Sequence, residues 1–219
     1  MSKLNYKYID IIIFIFIIIF IIIRLYNTER TYIMYYYESL IYKTNIVGLP
    51  IPQNIMNNIN NYISNIKNID KYTFIDFGCG TGVILQNIHN LVKNVEGVEL
   101  DDKLVKIAKL KLDNYHNVHI YNMDMIDYKF KDIDTILYLY EPLWLVKDKE
   151  KTLDIYNTVF NNMIRQIKNS NIIIIYCNGV LSKSLDIPFF NKYNLKLIKL
   201  IKFSRFVPFT NNILYILSN

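Results

Sequence analysis

The sequence predicts an α/β fold: a seven-stranded, mostly parallel sheet with flanking helices and an antiparallel C-terminal edge, preceded by an N-terminal transmembrane helix. Three observations predict it. From Tyr72 onward, short apolar runs alternate with amphipathic helical stretches, as in a parallel sheet whose strands are joined by crossover helices. The first of those runs enters three closely spaced glycines, the signature of a tight strand-to-helix turn. Residues Ile11 to Ile23 are apolar without interruption, a run that a lipid or a protein core must cover.

Composition bounds the reading. The chain has 219 residues, 52% hydrophobic and 20% charged, with only 6 Gly and 5 Pro. It can bury enough apolar area to offset ordering entropy, which excludes a disordered or fibrous chain, and it is long enough for one domain with an appendage. Two cysteines, Cys79 and Cys177, do not staple a secreted mini-protein, so a reducing compartment is expected. There are 40 Ile and a single Ala, Ala108. Such a bias reflects A/T-rich codons, so an Ile run alone is weak evidence for a strand. The net charge of +6 is compatible with an anionic partner, although the same codon bias favours Lys.

Three regions follow in order: a membrane anchor over 1–26, a connector with an amphipathic helix over 27–70, and the α/β domain over 71–219. As a helix, Ile11 to Ile23 covers about 20 Å of a hydrocarbon core roughly 30 Å thick. Extension from Tyr6 to Tyr26 gives about 31 Å. Tyr6, Tyr8 and Tyr26 then suit the interfaces, and Lys7, Asp10 and Arg24 lie near enough to the ends to snorkel. A cleaved signal peptide is one rival, but Arg24-Leu25-Tyr26-Asn27 offers no small-residue cleavage site. A buried strand or helix is the other. Lys3 and Lys7 on one side balance Arg24 and Arg30 on the other, which leaves the orientation open. In the connector, Gly48-Leu-Pro50-Ile-Pro52 marks a turn, and Ile55, Met56, Ile59, Ile63 and Ile66 recur at helical spacing.

Strands are expected at Tyr72 to Phe77, Asn94 to Glu99, Val118 to Met123, Ile133 to Tyr140 and Asn171 to Cys177, with helices from Gly82, from Asp101 and from about Asp148 to Lys168. Leu195 to Phe203 and Asn212 to Leu217 are two further apolar runs separated by Pro208, close enough in sequence to form an antiparallel edge pair.

The chemistry sits in Thr73-Phe-Ile-Asp76-Phe-Gly78-Cys-Gly80-Thr-Gly82. Residues without Cβ let the backbone turn tightly and approach a ligand, and the helix that follows supplies free N–H groups. Glu99 stands 21 residues after Gly78, at the tip of the second strand, where a carboxylate can accept from both hydroxyls of a ribose. A dinucleotide fingerprint reads G-x-G-x-x-G, whereas this chain has G-x-G-x-G with Val83 at the third position, which disfavours hydride chemistry.

In these residues the chain resembles the class I S-adenosylmethionine-dependent methyltransferases, Rossmann-like enzymes whose first motif has an acidic residue two before G-x-G-x-G. The resemblance covers roughly residues 45 to 219. It implies S-adenosyl-L-methionine as cofactor and a role at each matching position. Asp76 contacts the methionine end, the backbone of Gly78, Gly80 and Gly82 passes beneath, and Glu99 holds the ribose. Asp124 accepts from the adenine amino group, Met125 donates its backbone N–H to the ring, and Leu100 and Met123 either flank the adenine or pack. The run Tyr138-Leu-Tyr140-Glu141-Pro142-Leu143-Trp144 is similar to the Asn/Asp-Pro-Pro-aromatic loop of amino-group methyltransferases. It is closer still to the Leu-Tyr-Asn-Pro-Phe loop of a poorly characterised methyltransferase group, which also carries a Gly and Pro-x-Pro segment matching Gly48, Pro50 and Pro52. Here Glu141 replaces Asn or Asp, and Leu143 replaces Pro or Phe.

The resemblance thus implies Glu141 and Tyr140 as the catalytic pair. Glu141 accepts from an amine or takes its proton, and Tyr140 either walls the acceptor or packs, with packing the stronger reading for Trp144. Methyl transfer from a sulfonium is an in-line displacement that positioning dominates. No metal is expected: His89, His116 and His119 are scattered without accompanying ligands. The Lys103, Lys106, Lys109, Lys111 and Lys196, Lys199, Lys202, Arg205 groups read as solvated faces in preference to a nucleic-acid groove. The expected function is membrane-anchored methylation of a protein amine such as Lys. The alternatives are an amino group of nucleic acid, or a noncatalytic module that binds the cofactor. Because the methyl donor is made in the cytosol, the domain is expected to face it, or the interior of an organelle that imports the donor.

Overall fold

The computed structural model describes residues 14–19, 51, 53–140, 142–143, 148–178, 185–202 and 213–219. The chain divides into two compact units, residues 1–52 and 53–219. In the first, residues 14–19 are helical, and all six apolar side chains are 39% to 67% exposed. The rest of the expected anchor, together with Gly48, Pro50 and Pro52, lies outside the described residues. Among the described residues no helix is long and apolar enough to cross a membrane.

The second unit begins with α1 (Gln53–Ser64), whose buried face is the expected Ile55, Met56, Ile59 and Ile63; Ile66, expected to continue it, falls in the turn beyond the helix and is half-buried. Then come β1 (Thr73–Phe77), α2 (Val83–Ile88), β2 (Asn94–Glu99), α3 (Asp102–Leu112), β3 (Val118–Asn122), β4 (Thr135–Tyr140), α4 (Lys149–Gln166), β5 (Ile172–Asn178), α5 (Ile187–Asn191), β6 (Lys196–Lys202) and β7 (Ile213–Ser218). The seven strands form one sheet in the order β3-β2-β1-β4-β5-β7-β6. The first five are mutually parallel, while β7 runs antiparallel to both β5 and β6. β6 and β7 are therefore the expected antiparallel pair, but β7 slots between β5 and β6.

Burial follows layer position. Every residue of β1 is buried, as a central parallel strand covered on both faces requires. On one face Ile75, Phe77, Leu137 and Leu139 join Tyr156, Val159, Phe160 and Met163 of α4 in a single apolar cluster. On the other face α2 and the turn preceding it lie close to β2. A Cβ at Gly97 would come within 2.6 Å of Leu85 Cδ1, 2.8 Å of Cys79 Sγ and 2.9 Å of Ile120 Cδ1, so a side chain there would force these neighbours to shift. Aspartates start the long helices: Asp101 accepts from the Lys103 and Leu104 N–H groups, and Asp148 from those of Glu150 and Lys151. Helix α5 was not expected from the sequence. Its start carries a recognisable pair of signals, an Asp186 cap with Pro188 in the first turn.

Candidate functional site

The sheet order sets β3, β2, β1 and β4 side by side, so their carboxyl ends form one edge carrying Asp124, Glu99, Asp76 and Tyr140. At the exit of β1 the backbone turns through Gly78, Gly80 and Gly82 with φ of 77°, 53° and 78°, left-handed values that L side chains disfavour. The Gly78 and Cys79 N–H groups donate to the Val98 carbonyl at 2.8 and 3.2 Å, which ties this turn to the end of β2. A Cβ at Gly80 would meet nothing within 4 Å. The backbone there faces open space.

Glu99 points at that turn. Its Oε2 accepts from the Gly80 N–H at 3.0 Å and its Oε1 from the Asp101 N–H at 2.9 Å. A carboxylate offers about four acceptor sites, so each oxygen keeps one to spare. The backbone beneath is clamped by Asn122, whose Nδ2 donates to the Glu99 and Leu100 carbonyls at 3.2 and 3.0 Å. Asn122 was not among the residues singled out from the sequence. Its function depends on a register, Glu99 opposite Asn122, that no local pattern discloses.

Asp76 lies in β1, 3% exposed. Burial, and after it the Glu99 charge, holds its carboxyl well above the usual aspartate range, and no hydrogen bond from the described residues offsets either. Burial likewise pushes the neighbouring Cys79 thiol up, with smaller contributions from Asp76 and Glu99. The Glu99 charge adds to the burial that disfavours an ionised Asp76, an arrangement that a cation would relieve.

Asp124 is half-buried and caps a single 3₁₀ turn, Met125–Asp127, by accepting from the Ile126 N–H at 3.1 Å. The Met125 N–H comes first in that turn and has no acceptor among the described residues. Leu100 is 67% exposed beside Glu99, whereas Met123 is half-buried and packs against the core cluster. Tyr140 is half-buried at the end of β4, opposite Cys177 in β5. Of the loop that follows, Pro142 sits over Gly78 and Leu143 packs against the core cluster. Glu141 and Trp144 lie outside the described residues.

The donor set fits an adenosyl sulfonium. The open backbone at Gly80 accommodates passage of the ligand, Glu99 has acceptor capacity left for a ribose, and Leu100 and the Met125 N–H offer an apolar face and a donor for a base. The buried Asp76 offers a partner for a cationic amino-acid end.

Comparison with known proteins agrees. Residues 74–168 match a family model described as methyltransferase domain. Among curated proteins, the ribosomal RNA small subunit methyltransferase A of Syntrophus aciditrophicus is 34% identical over 58 residues, 26% of this chain and 21% of that protein; the chain thus spans about a fifth of the relative it matches. Among solved structures, the N-methyltransferase NodS of Bradyrhizobium japonicum in complex with S-adenosyl-L-homocysteine superposes with a TM-score of 0.59 at 9% identity, over 74% of this chain and 86% of that one. The magnesium protoporphyrin IX methyltransferase of Synechocystis, with bound S-adenosylmethionine, does so with a TM-score of 0.57 at 14% identity, over 75% and 78%. At these identities the likeness establishes the fold.

Proposed function

We propose that the chain is a class I S-adenosylmethionine-dependent methyltransferase, a reading supported by the methyltransferase-domain match over residues 74–168 and by the shared fold, and that it methylates an amine of a protein, a Lys side chain or its like. One observation carries the placement of the cofactor: Glu99 is held by the Gly80 and Asp101 N–H groups at the mouth of the glycine turn, with acceptor capacity to spare.

S-adenosyl-L-methionine, when bound, supplies a methyl group already activated on a sulfonium. The residues of this chain have the remaining tasks of holding and orienting. Asp76 binds the cationic methionine end, Gly78, Gly80 and Gly82 pass beneath it, Glu99 takes the ribose, and Asp124 and Met125 take the adenine edge. At the exit of β4, Tyr140 flanks the acceptor and Glu141 accepts from the amine, orienting its lone pair and taking up its proton.

A nucleic-acid amino group is the second reading. It is favoured by the ribosomal RNA methyltransferase match and by the exposed Lys103, Lys106 and Lys109 along α3, although Lys106 is paired with Asp102 at 2.6 Å. Incubating the full chain with methyl-labelled donor and separated protein and RNA fractions of a lysate distinguishes the two. Label on lysine nitrogen supports the first reading, and label confined to RNA overturns it in favour of the second. Binding of S-adenosylhomocysteine without any transfer identifies a noncatalytic module.

Residues 6–26 anchor the protein in a membrane with the domain on the cytosolic side. Support comes from the uninterrupted apolar run and from the exposure of every side chain in its helical portion, 14–19. Release of the chain by alkaline carbonate from isolated membranes overturns the anchor, and full protection of the domain from protease in intact vesicles overturns the orientation.

A further inference from the structure

We propose that Gly78 is a positioning residue for the acceptor loop and acts through Pro142, a task different from that of Gly80 two residues on. The proposal rests on the methyltransferase reading only in naming the loop after β4 as the acceptor side. The geometry separates the two glycines. A Cβ at Gly78 would lie 2.9 Å from Pro142 Cβ and 3.1 Å from Pro142 Cα, whereas a Cβ at Gly80 would meet nothing within 4 Å. The first clash is not one that rotation of a flexible side chain relieves, because it is with a pyrrolidine ring and a backbone atom.

Neither partner is free to retreat. The Gly78 N–H is bonded to the Val98 carbonyl at 2.8 Å, and the next N–H to the same oxygen at 3.2 Å, which fixes the turn to β2. On the loop side Leu143 is packed against the core cluster. Pro142 is therefore seated on the glycine turn while its neighbour is seated in the core, and the two contacts together set where the chain leaves β4. The hydrogen at Gly78 thus serves the loop, and the hydrogen at Gly80 leaves room for the cofactor.

The chain contains a single Trp, Trp144, so tryptophan fluorescence of the full chain reports on this loop alone. The test compares the parent with Gly78→Ala, Gly80→Ala, Pro142→Gly and the Gly78→Ala/Pro142→Gly double variant. Two readouts are used: acrylamide quenching of Trp144, and calorimetric titration with S-adenosylhomocysteine. Gly78→Ala is expected to change the quenching constant about twofold or more, and to change it less when Pro142 is already Gly, as befits residues coupled by direct contact. Gly80→Ala is expected to weaken S-adenosylhomocysteine about tenfold, as filling a fitted space does, while leaving Trp144 as in the parent. Both alanines meet left-handed φ values, so backbone strain is common to them and does not imitate the difference.

The proposal is overturned if Gly78→Ala leaves Trp144 unchanged, if it acts equally in the Pro142→Gly background, or if Gly80→Ala moves Trp144 as much. Should Gly78→Ala fail to fold, Pro142→Gly alone decides: raised quenching supports the contact, and quenching equal to the parent's overturns it. Failure of the parent itself to bind S-adenosylhomocysteine strikes the methyltransferase reading instead, and leaves the fluorescence result to judge Gly78 separately.

Discussion

The two ends of the sheet differ in how they use Asp132 and Asp134 on the one side and the buried Asp76 on the other. At the amino end the polar groups are spent on the protein itself. Asp132 accepts from the Lys168 and Asn169 N–H groups, each at 3.0 Å, and from Asn169 Nδ2, bonds that hold its carboxyl below the usual range, the Asn169 N–H foremost. Asp134 accepts from both the N–H and the Nδ2 of Asn171, and Asn117 Nδ2 donates to the His89 carbonyl at 2.7 Å. At the carboxyl end Asp76 is buried with its carboxyl held high, Leu100 is exposed and the backbone at Gly80 faces open space. A loop that only has to close saturates its acceptors. A crevice that has to receive a ligand leaves its groups partly unspent, at some cost in stability.

Removal of the Glu99 carboxylate is expected to have the largest effect. Glu99→Ala loses the charge-assisted bonds to the ribose and also frees the Gly80 turn, which together weaken S-adenosylhomocysteine by about a hundredfold or more. Titration calorimetry reads this, and affinity like that of the parent refutes the ribose contact.

Next comes Asp76→Asn, which separates binding from stability at a single site. Cofactor affinity is expected to fall about tenfold to a hundredfold as the charged partner of the amino-acid end is lost. The melting temperature is expected to rise at neutral pH, because the variant no longer buries an ionisable group. The sign follows from linkage: a carboxyl whose folded pKa exceeds its unfolded value contributes stability below the ordinary aspartate pKa and loses it as pH rises through the folded value. The parent should therefore lose stability relative to Asp76→Asn with rising pH from about 4 upward, while its affinity for the cationic ligand rises over the same interval. Parallel pH profiles for the two proteins would contradict this.

The converse experiment lies at the amino end. Asp134→Ala is expected to cost about 1–2 kcal/mol through loss of two bonds to Asn171, a fall of about 2–8 °C in Tm for a chain of this size, and to leave S-adenosylhomocysteine affinity unchanged. A change in affinity instead would mean that the two ends are not independent.

What was legible in the sequence was local. The strand into Gly78, Gly80 and Gly82, Glu99 at the tip of the next strand, the buried face of α1 and the helix starts near Asp101 and Asp148 are short-range patterns, and the structure has the corresponding elements within a residue or two of the expected ends. What was not legible depends on pairing across the chain. The insertion of β7 between β5 and β6 has no local mark, because Lys196-Leu-Ile-Lys199-Leu-Ile-Lys202 is exposed but for the half-buried Leu197 and Ile201 and reads equally well as a strand at any edge. The Asn122 clamp requires the β2–β3 register, and the seat of Pro142 on Gly78 requires two loops 64 residues apart in number to meet. Helix α5 carried its Asp186 and Pro188 signals, but five residues are too few for a period to show.

The smallest expected effect bears most directly on what an unspent group is for. Leu100 is 67% exposed, so Leu100→Ala removes little buried area and leaves Tm within about 1 °C, as surface substitutions do. An exposed Leu by itself means nothing. If a base lies against it, the same substitution uncovers apolar surface only in the complex and weakens S-adenosylhomocysteine by roughly 1 kcal/mol, about fivefold. Leu110 of α3, 79% exposed and not at the strand exits, is the control: Leu110→Ala should move neither quantity. Equal affinities for the two variants would place the adenine elsewhere on the edge and leave the contrast between the sheet ends resting on the carboxylates alone.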